Sequence, residues 1–316
     1  FLSLKFPRTS LFPLIYHYLR PFIKWFLHRF TRLCELQRIC YGAPSGACRT
    51  RKVETSLTLT KNERMKEVMS RFDEQVEYCS DAEFHINAAT LLRTVMIEKK
   101  IKSKLHPDFS PIFSLCIQQI WGYRRLMCVI ERMRTTQYDP DNLEHERRLL
   151  DLWKLLVPDI ELDSRITKQW QHIGFQGDDP KTDFRGMGIL GLENLLYFAT
   201  EYNKEAKHVL SHSHHPRHGY TFAIVGINLT SMAYNLFKSG RAKNHFYNVS
   251  RSACNIEHFH KFYCYLFFEF DRFWVQSKPS SIMDFSIIHE RFEREIVTSL
   301  QRDNAVFRMN LLVDDI

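Results

Sequence analysis

Three features of this 316-residue sequence predict an all-α fold. Apolar residues recur at the three- and four-residue spacing of a helix face along most of the chain. Strand-like alternation persists nowhere for long, and helix-start signals stand where the apolar faces begin. With 44% hydrophobic and 25% charged residues, the composition is that of a soluble globular protein able to bury a sizeable core.

The net charge of +8 is concentrated at the start. Residues 1–53 hold ten Lys or Arg against one acid, Glu35, and the remaining residues are close to neutral. A basic globule that binds nucleic acid is therefore not expected; a basic arm facing a membrane or an acidic partner is. The first residue is Phe1, so the true N-terminus is not fixed, and no signal-peptide cleavage pattern follows it. The longest uncharged stretch, Thr9 to Leu19, is interrupted by Pro13 and falls short of the ~18 to 20 residues that span a bilayer. From Leu14 a helical face of Ile15, Leu19, Phe22, Phe26 and Phe30 stands opposite Arg20, Lys24, His28 and Arg32. Such a helix suits either a membrane surface, with Arg20, Lys24, Trp25, Phe26 and Arg32 as the contact candidates, or a seat on the protein's own core. Residues 1–53 are accordingly read as an arm, and residues 54–316 as one helical domain.

After Gly42 to Gly46 and a polar run to about Asn62, helices dominate. Ser110 followed by Pro111 reads as the cap and first residue of a helix ending near Met133, and the turn Tyr138 to Asn142 opens another that ends near Pro158. Further on, Phe222, Val225, Leu229, Met232, Ala233 and Leu236 form one apolar stripe. Ile256, Phe259, Tyr263, Leu266, Phe267, Phe270 and Trp274 form another, and together the two read as the centre of the core. The eight cysteines include no C-x-x-C pair and read as reduced core thiols. The sequons at Asn228 and Asn248 read as chance matches.

Between two helical regions runs Trp170 to Phe198, whose composition changes at Leu190. The part up to Gly188 is rich in glycine and acids and contains Pro180, which excludes a regular helix; from Leu190 a buried helical face is available. Arg185 thus sits on a loop entering a helix. A cation there is mildly unfavourable, by about 0.3 to 1 kcal/mol at exposed sites. Two readings of Arg185 stay open at this point: a clamp to Asp178, Asp179 or Asp183, or a side chain reserved for a partner. The G-x-G-x-x-G formed by Gly186, Gly188 and Gly191 lacks the preceding buried strand that dinucleotide binding requires, so these glycines read as turn and packing positions.

The segment resembles the signature of ELMO-domain proteins: Trp170, then Gly174-Phe175-Gln176, Pro180, Thr182-Asp183-Phe184-Arg185-Gly186, Gly188, Leu190-Gly191-Leu192, Leu195 and Tyr197-Phe198. The likeness extends from Cys34 to Arg38, through Asp141-Asn142, to Ala223 to Asn228 and Phe259 to Trp274. It is greatest to the short ELMO domain-containing proteins. Large ELMO scaffolds carry armadillo-like repeats and a pleckstrin-homology domain, for which this chain has no room. The resemblance implies a GTPase activator for GTP-bound Arf and Arf-like proteins, with Arg185 as the catalytic arginine. It implies no cofactor of the chain's own, since Mg²⁺ and GTP belong to the partner, and kinship suggests endoplasmic reticulum, mitochondria or lipid droplets; the reduced thiols and the basic arm give the expected cytoplasmic, peripheral-membrane location. Trp170, Phe175, Phe184, Leu190 and Leu192 are expected to pack the loop onto the core. Asp183 is expected to cap the next helix or orient Arg185, and Gln176 to bond within the loop or meet the partner. The alternative is a module that binds a GTPase or an exchange-factor complex without accelerating hydrolysis.

Two other clusters are set aside as metal sites. His212, His214, His215 and His218 read as solvent-facing loop residues, and His258 and His260, two apart on a helix, cannot share one face with Cys254 and Cys264.

Overall fold

The computed structural model describes residues 11–309, with side chains described at residue 19 and from residue 22 onward. Among these residues there are thirteen α-helices, three short 3-10 turns and no strand. The fold is all-α.

Helix α1 (Leu11–Thr31) carries the basic arm. Phe22, Trp25, Phe26 and Phe30 are exposed along it, and Arg32 closes it in a left-handed conformation with φ of 55°. Ile15 and Arg20 lie outside the described side chains. No helix among the described residues is long and apolar enough to cross a membrane.

The arm drawn through residue 53 ends earlier than its charge suggests. Helices α2 (Glu35–Gly42) and α3 (Ala47–Thr58) bury Leu36, Cys40, Ala47, Val53 and Leu57 in the same core as the rest of the protein. The run read as polar connection is helical because its buried polar groups are satisfied. The Thr50 hydroxyl donates to Gln119 Oε1 at 2.6 Å, and Gln119 Nε2 donates to the carbonyls of Tyr247 and Ser250 at 3.0 and 2.9 Å. Asn248, a nominal sequon, is likewise used up. It accepts from the Ala47 N–H at 2.8 Å and donates to the carbonyls of Asp303 and Ala305.

Helices α4 (Glu63–Gln75) and α5 (Asp81–Glu98) pack together, and α5 lies on the long α6 (Phe109–Thr135). Helix α6 starts before Ser110 because Phe109 is fully buried and stacks on Phe113 with ring centres 5.1 Å apart. Burying that ring is worth roughly 1.5–3 kcal/mol, more than a serine cap offers. Helix α7 (Leu143–Leu156) begins at the cap Asn142, whose side chain accepts from the N–H groups of Glu144 and His145.

The centre is α8 (Gly188–Glu201), which packs against α6, α7, α9 (Asn203–Ser213), α10 (Phe222–Lys238) and α12 (Ile256–Ser277). Helix α11 (Lys243–Val249) seats α3, and α13 (Phe285–Leu300) covers α12. All eight cysteines are unpaired, and five of them are buried.

Two histidines are locked inside this core without charge. His245 accepts the Phe307 N–H on Nδ1 at 3.0 Å, and burial, with His258 and Arg308 nearby, lowers its pKa to about 3. His260 bonds Asn194 Oδ1 at 2.7 Å and stacks on Tyr197. Burial lowers its pKa to about 4; Arg148 adds to the shift and Glu257 opposes it. In the unfolded chain both imidazoles titrate near pH 6.5. Below that pH the unfolded state takes up protons that the native state does not, so stability is complete above about pH 6.5 and falls as the pH drops. Urea unfolding at pH 7 and pH 5 should show a loss on the order of 2 kcal/mol per histidine. His260→Gln should remove roughly half of that pH dependence, and an unchanged slope would assign it to other groups.

Candidate functional site

The loop between α7 and α8 is held by two 3-10 turns, Lys168–Ile173 and Pro180–Gly186. Trp170 is fully buried, donates its indole N–H to the Arg165 carbonyl at 3.0 Å, and meets Trp153 and Phe175 edge-on at 5.5 and 5.9 Å. Phe175 packs on Phe184, and Phe184 on Tyr138, each with ring centres 5.5 Å apart. Pro180, Leu190 and Leu192 are buried as well, while Thr182 is exposed. This aromatic chain seats the loop on Trp153 of α7 and on Tyr138 in the turn between α6 and α7, which is how a segment so rich in glycine is held in place.

Each glycine has its own reason. Gly174 adopts φ of 80° as its turn ends, and a Cβ there would lie 2.2 Å from the Phe222 backbone nitrogen at the start of α10. Gly188, at φ of 52°, sits against the carbonyls of Arg134 and Thr136, each 2.4 Å from where its Cβ would be. Gly191 is in ordinary contact with Phe184, Met187 and Ile227. Gly186 is different: nothing lies within 4 Å of its Cβ position and its φ is not positive. The protein's own packing does not require a glycine there.

Polar bonds complete the loop. Arg165 pairs with Glu146 at 2.7 Å and with Asp179 at 3.0 Å, its guanidinium lying over the Tyr138 ring. Asp179 also accepts the Lys181 N–H at 2.9 Å, opening the second turn. Asp183 caps nothing on α8; its carboxylate accepts the Gln176 N–H at 2.9 Å across the loop. Burial raises the Asp183 pKa, with that bond and the Arg185 charge working against the shift.

These pairings leave Arg185 over. It is exposed two residues before the cap of α8, and its guanidinium makes no hydrogen bond and no ion pair among the described residues. The clamp to Asp178, Asp179 or Asp183 does not form. Arg165 has taken Asp179, and the Asp183 carboxylate is turned to a backbone N–H. Arg185 stands at a surface groove of about 610 Å³ shared by Gln176, Gly177, Thr182, Asp183 and Gly186 of the loop and by Ile224, Ile227 and Asn228 of α10. The second wall was missed in the sequence. Its signal was Asn228, an exposed polar residue in a largely apolar helix and the last residue of the stretch Ala223 to Asn228 that shares the family likeness.

The histidine segment also differs from its sequence reading. His212 belongs to the last turn of α9 and bonds the fully buried Asp271. His214 bonds the His172 carbonyl, and His218 the Pro279 carbonyl, at 2.7 and 2.8 Å. His214 and His215 are exposed, as read from the sequence, while His212 and His218 are half-buried. His258 and His260 do diverge: His258 caps α12 with Asn255 while His260 is buried.

Fold and site together define a helical domain that displays an exposed loop arginine beside a shallow groove. The family model described as ELMO/CED-12 matches residues 128–289, and the chain belongs to that family. It is 47% identical to ELMO domain-containing protein 2 of Homo sapiens, an alignment covering 89% of this chain and 91% of that one. It is 43% identical to ELMO domain-containing protein 1 of Mus musculus over 88% of this chain and 87% of the relative. Identity to ELMO domain-containing protein B of Dictyostelium discoideum is 36%, covering 86% and 92%. The alignments span most of both chains in each case.

Proposed function

We propose that this protein is a GTPase-activating protein for Arf-family small GTPases and that Arg185 enters the partner's GTP site as an arginine finger. The observation that carries this reading is the exposed guanidinium at the rim of the groove, unpaired among the described residues while Asp179 and Asp183 beside it are bonded elsewhere. A planar, permanently charged fork can bridge phosphate oxygens as charge builds on the transferred phosphoryl group. Such a finger contributes ~10³ to 10⁵ in rate while the GTPase supplies Mg²⁺ and the water-positioning residue. The empty space beside Gly186 supports the same reading, because a side chain there would crowd whatever docks on Arg185. Ile224, Ile227 and Asn228 offer that partner a mixed apolar and polar wall.

The test is single-turnover GTP hydrolysis by a panel of Arf and Arf-like GTPases with the purified protein added. Acceleration of at least one member is expected. Binding without acceleration anywhere on the panel would make the domain a scaffold.

The arm is proposed to hold the domain at membranes where such GTPases work. Lys24 is held by Glu35 of α2, which leaves the exposed Phe22, Trp25, Phe26 and Phe30 with Arg29 and Arg32 to meet an anionic interface. Flotation with anionic vesicles should therefore fall sharply when residues 1–33 are deleted, and equal flotation of both forms would remove the arm from the proposal.

A further inference from the structure

The face where α9 meets α12 holds a group of side chains for which the loop and groove have no use. His208 and His212 are four residues apart on α9 and so share one face, their rings 4.2 Å centre to centre. Asp271 of α12 points at them from full burial, with His212 Nδ1 2.7 Å from its Oδ2. Its other oxygen accepts the Tyr220 hydroxyl at 2.6 Å. One donor atom from each of His208, His212 and Asp271 lies within 4.8 Å of the other two. The His208 ring itself makes no hydrogen bond among the described residues.

We propose that His208, His212 and Asp271 form a binding site for a divalent transition-metal cation of the zinc type. Two imidazole nitrogens and one carboxylate oxygen are a donor set that suits Zn²⁺ or Co²⁺; Mg²⁺ and Ca²⁺ call for oxygen ligands throughout. Ligand atoms around a tetrahedral Zn²⁺ stand about 3.3 Å apart, given bonds of ~2.0 Å. The cluster therefore needs adjustments of an ångström or so, within reach of two half-buried imidazoles. The fourth position is left to water, since His208 and His212 are both open to solvent on one side. Tyr220 supplies the outer hydrogen bond that holds a ligating carboxylate in place.

The cation ties α9 to α12. It replaces a single imidazole–carboxylate contact between α9 and α12 with three metal bonds. It does so next to the segment that braces the signature loop, since His214, two residues past His212, holds the His172 carbonyl.

The experiment uses the full chain, stripped with chelator and titrated with Zn²⁺ alone by calorimetry, with thermal unfolding followed alongside. One Zn²⁺ per chain and a raised melting temperature are expected. His208→Ala should bind Zn²⁺ at least about tenfold more weakly while melting like the metal-free wild type, because His208 bonds nothing else. His215→Ala, which removes a histidine outside the cluster, should bind normally. Co²⁺ should give the intense visible bands of four-coordinate cobalt in wild type and lose them in His208→Ala. Absence of stoichiometric binding, or equal binding by wild type and His208→Ala, would overturn the site.

Discussion

Replacing Arg185 with alanine should reduce the accelerated hydrolysis rate of the responsive GTPase by ~10³ to 10⁵, to nearly the rate of that GTPase alone. The fold should not change, because the side chain is exposed and unbonded, and surface changes of that kind stay within about 0.5 kcal/mol. Arg185→Lys separates charge from shape. Lysine keeps the charge but is a point cation without the planar fork, so most of the acceleration should still be lost. A second readout distinguishes chemistry from docking. Wild type should form a stable complex with the GDP- and aluminium-fluoride-bound GTPase, which mimics the transferring phosphoryl group, and Arg185→Ala should not. If both folded variants accelerate hydrolysis as wild type does, Arg185 has no part in the chemistry. If they fail to bind even the GTP-bound partner, its role is contact alone.

Gly174→Ala should be among the most damaging single substitutions in the protein, costing more than about 3 kcal/mol of stability. Two effects add. The left-handed backbone at φ of 80° disfavours any side chain, by about 1–2 kcal/mol. The new Cβ would also lie 2.2 Å from the Phe222 nitrogen and 2.6 Å from the Thr221 carbonyl carbon, atoms of the backbone that cannot swing aside. Helix α10 would have to move off the loop, stretching the Ile224 N–H bond to the Gly174 carbonyl and separating the two walls of the groove. Chemical denaturation compares this variant with Gly186→Ala, where the space is open, the backbone is ordinary and the midpoint should barely change. A Gly174→Ala midpoint close to wild type would mean that the loop is not seated on α10 as described.

Much of the fold could be read along the chain. The stripes beginning at Phe222 and Ile256 are long and regular, and residues at such spacing can be buried only on one helix face. The polar run after Gly46 was illegible for the converse reason. Helix α3 hides only a few apolar residues, and Thr50 is buried through a bond to Gln119, sixty-nine residues away, which no local pattern announces. The same limit applied to the histidines. Spacing alone pairs His208 with His212, but Asp271 arrives from another helix.

The signature loop divides in the same way. That Trp170 to Phe198 is a glycine-bearing turn leading into a buried helix, that Arg185 stands at the junction, and that the chain resembles ELMO-domain proteins can all be read along the chain, because composition, periodicity and motif are properties of neighbouring residues. Which acid each arginine meets depends on the packed fold. Asp178, Asp179 and Asp183 lie as near to Arg185 in sequence as any partner could, yet Arg165 and a backbone N–H claim the two that bind, and Arg185 is left to solvent. That choice depends on where the buried rings of Trp170, Phe175 and Phe184 anchor the backbone. Distances across a packed core, not separations along the chain, set which charges can touch.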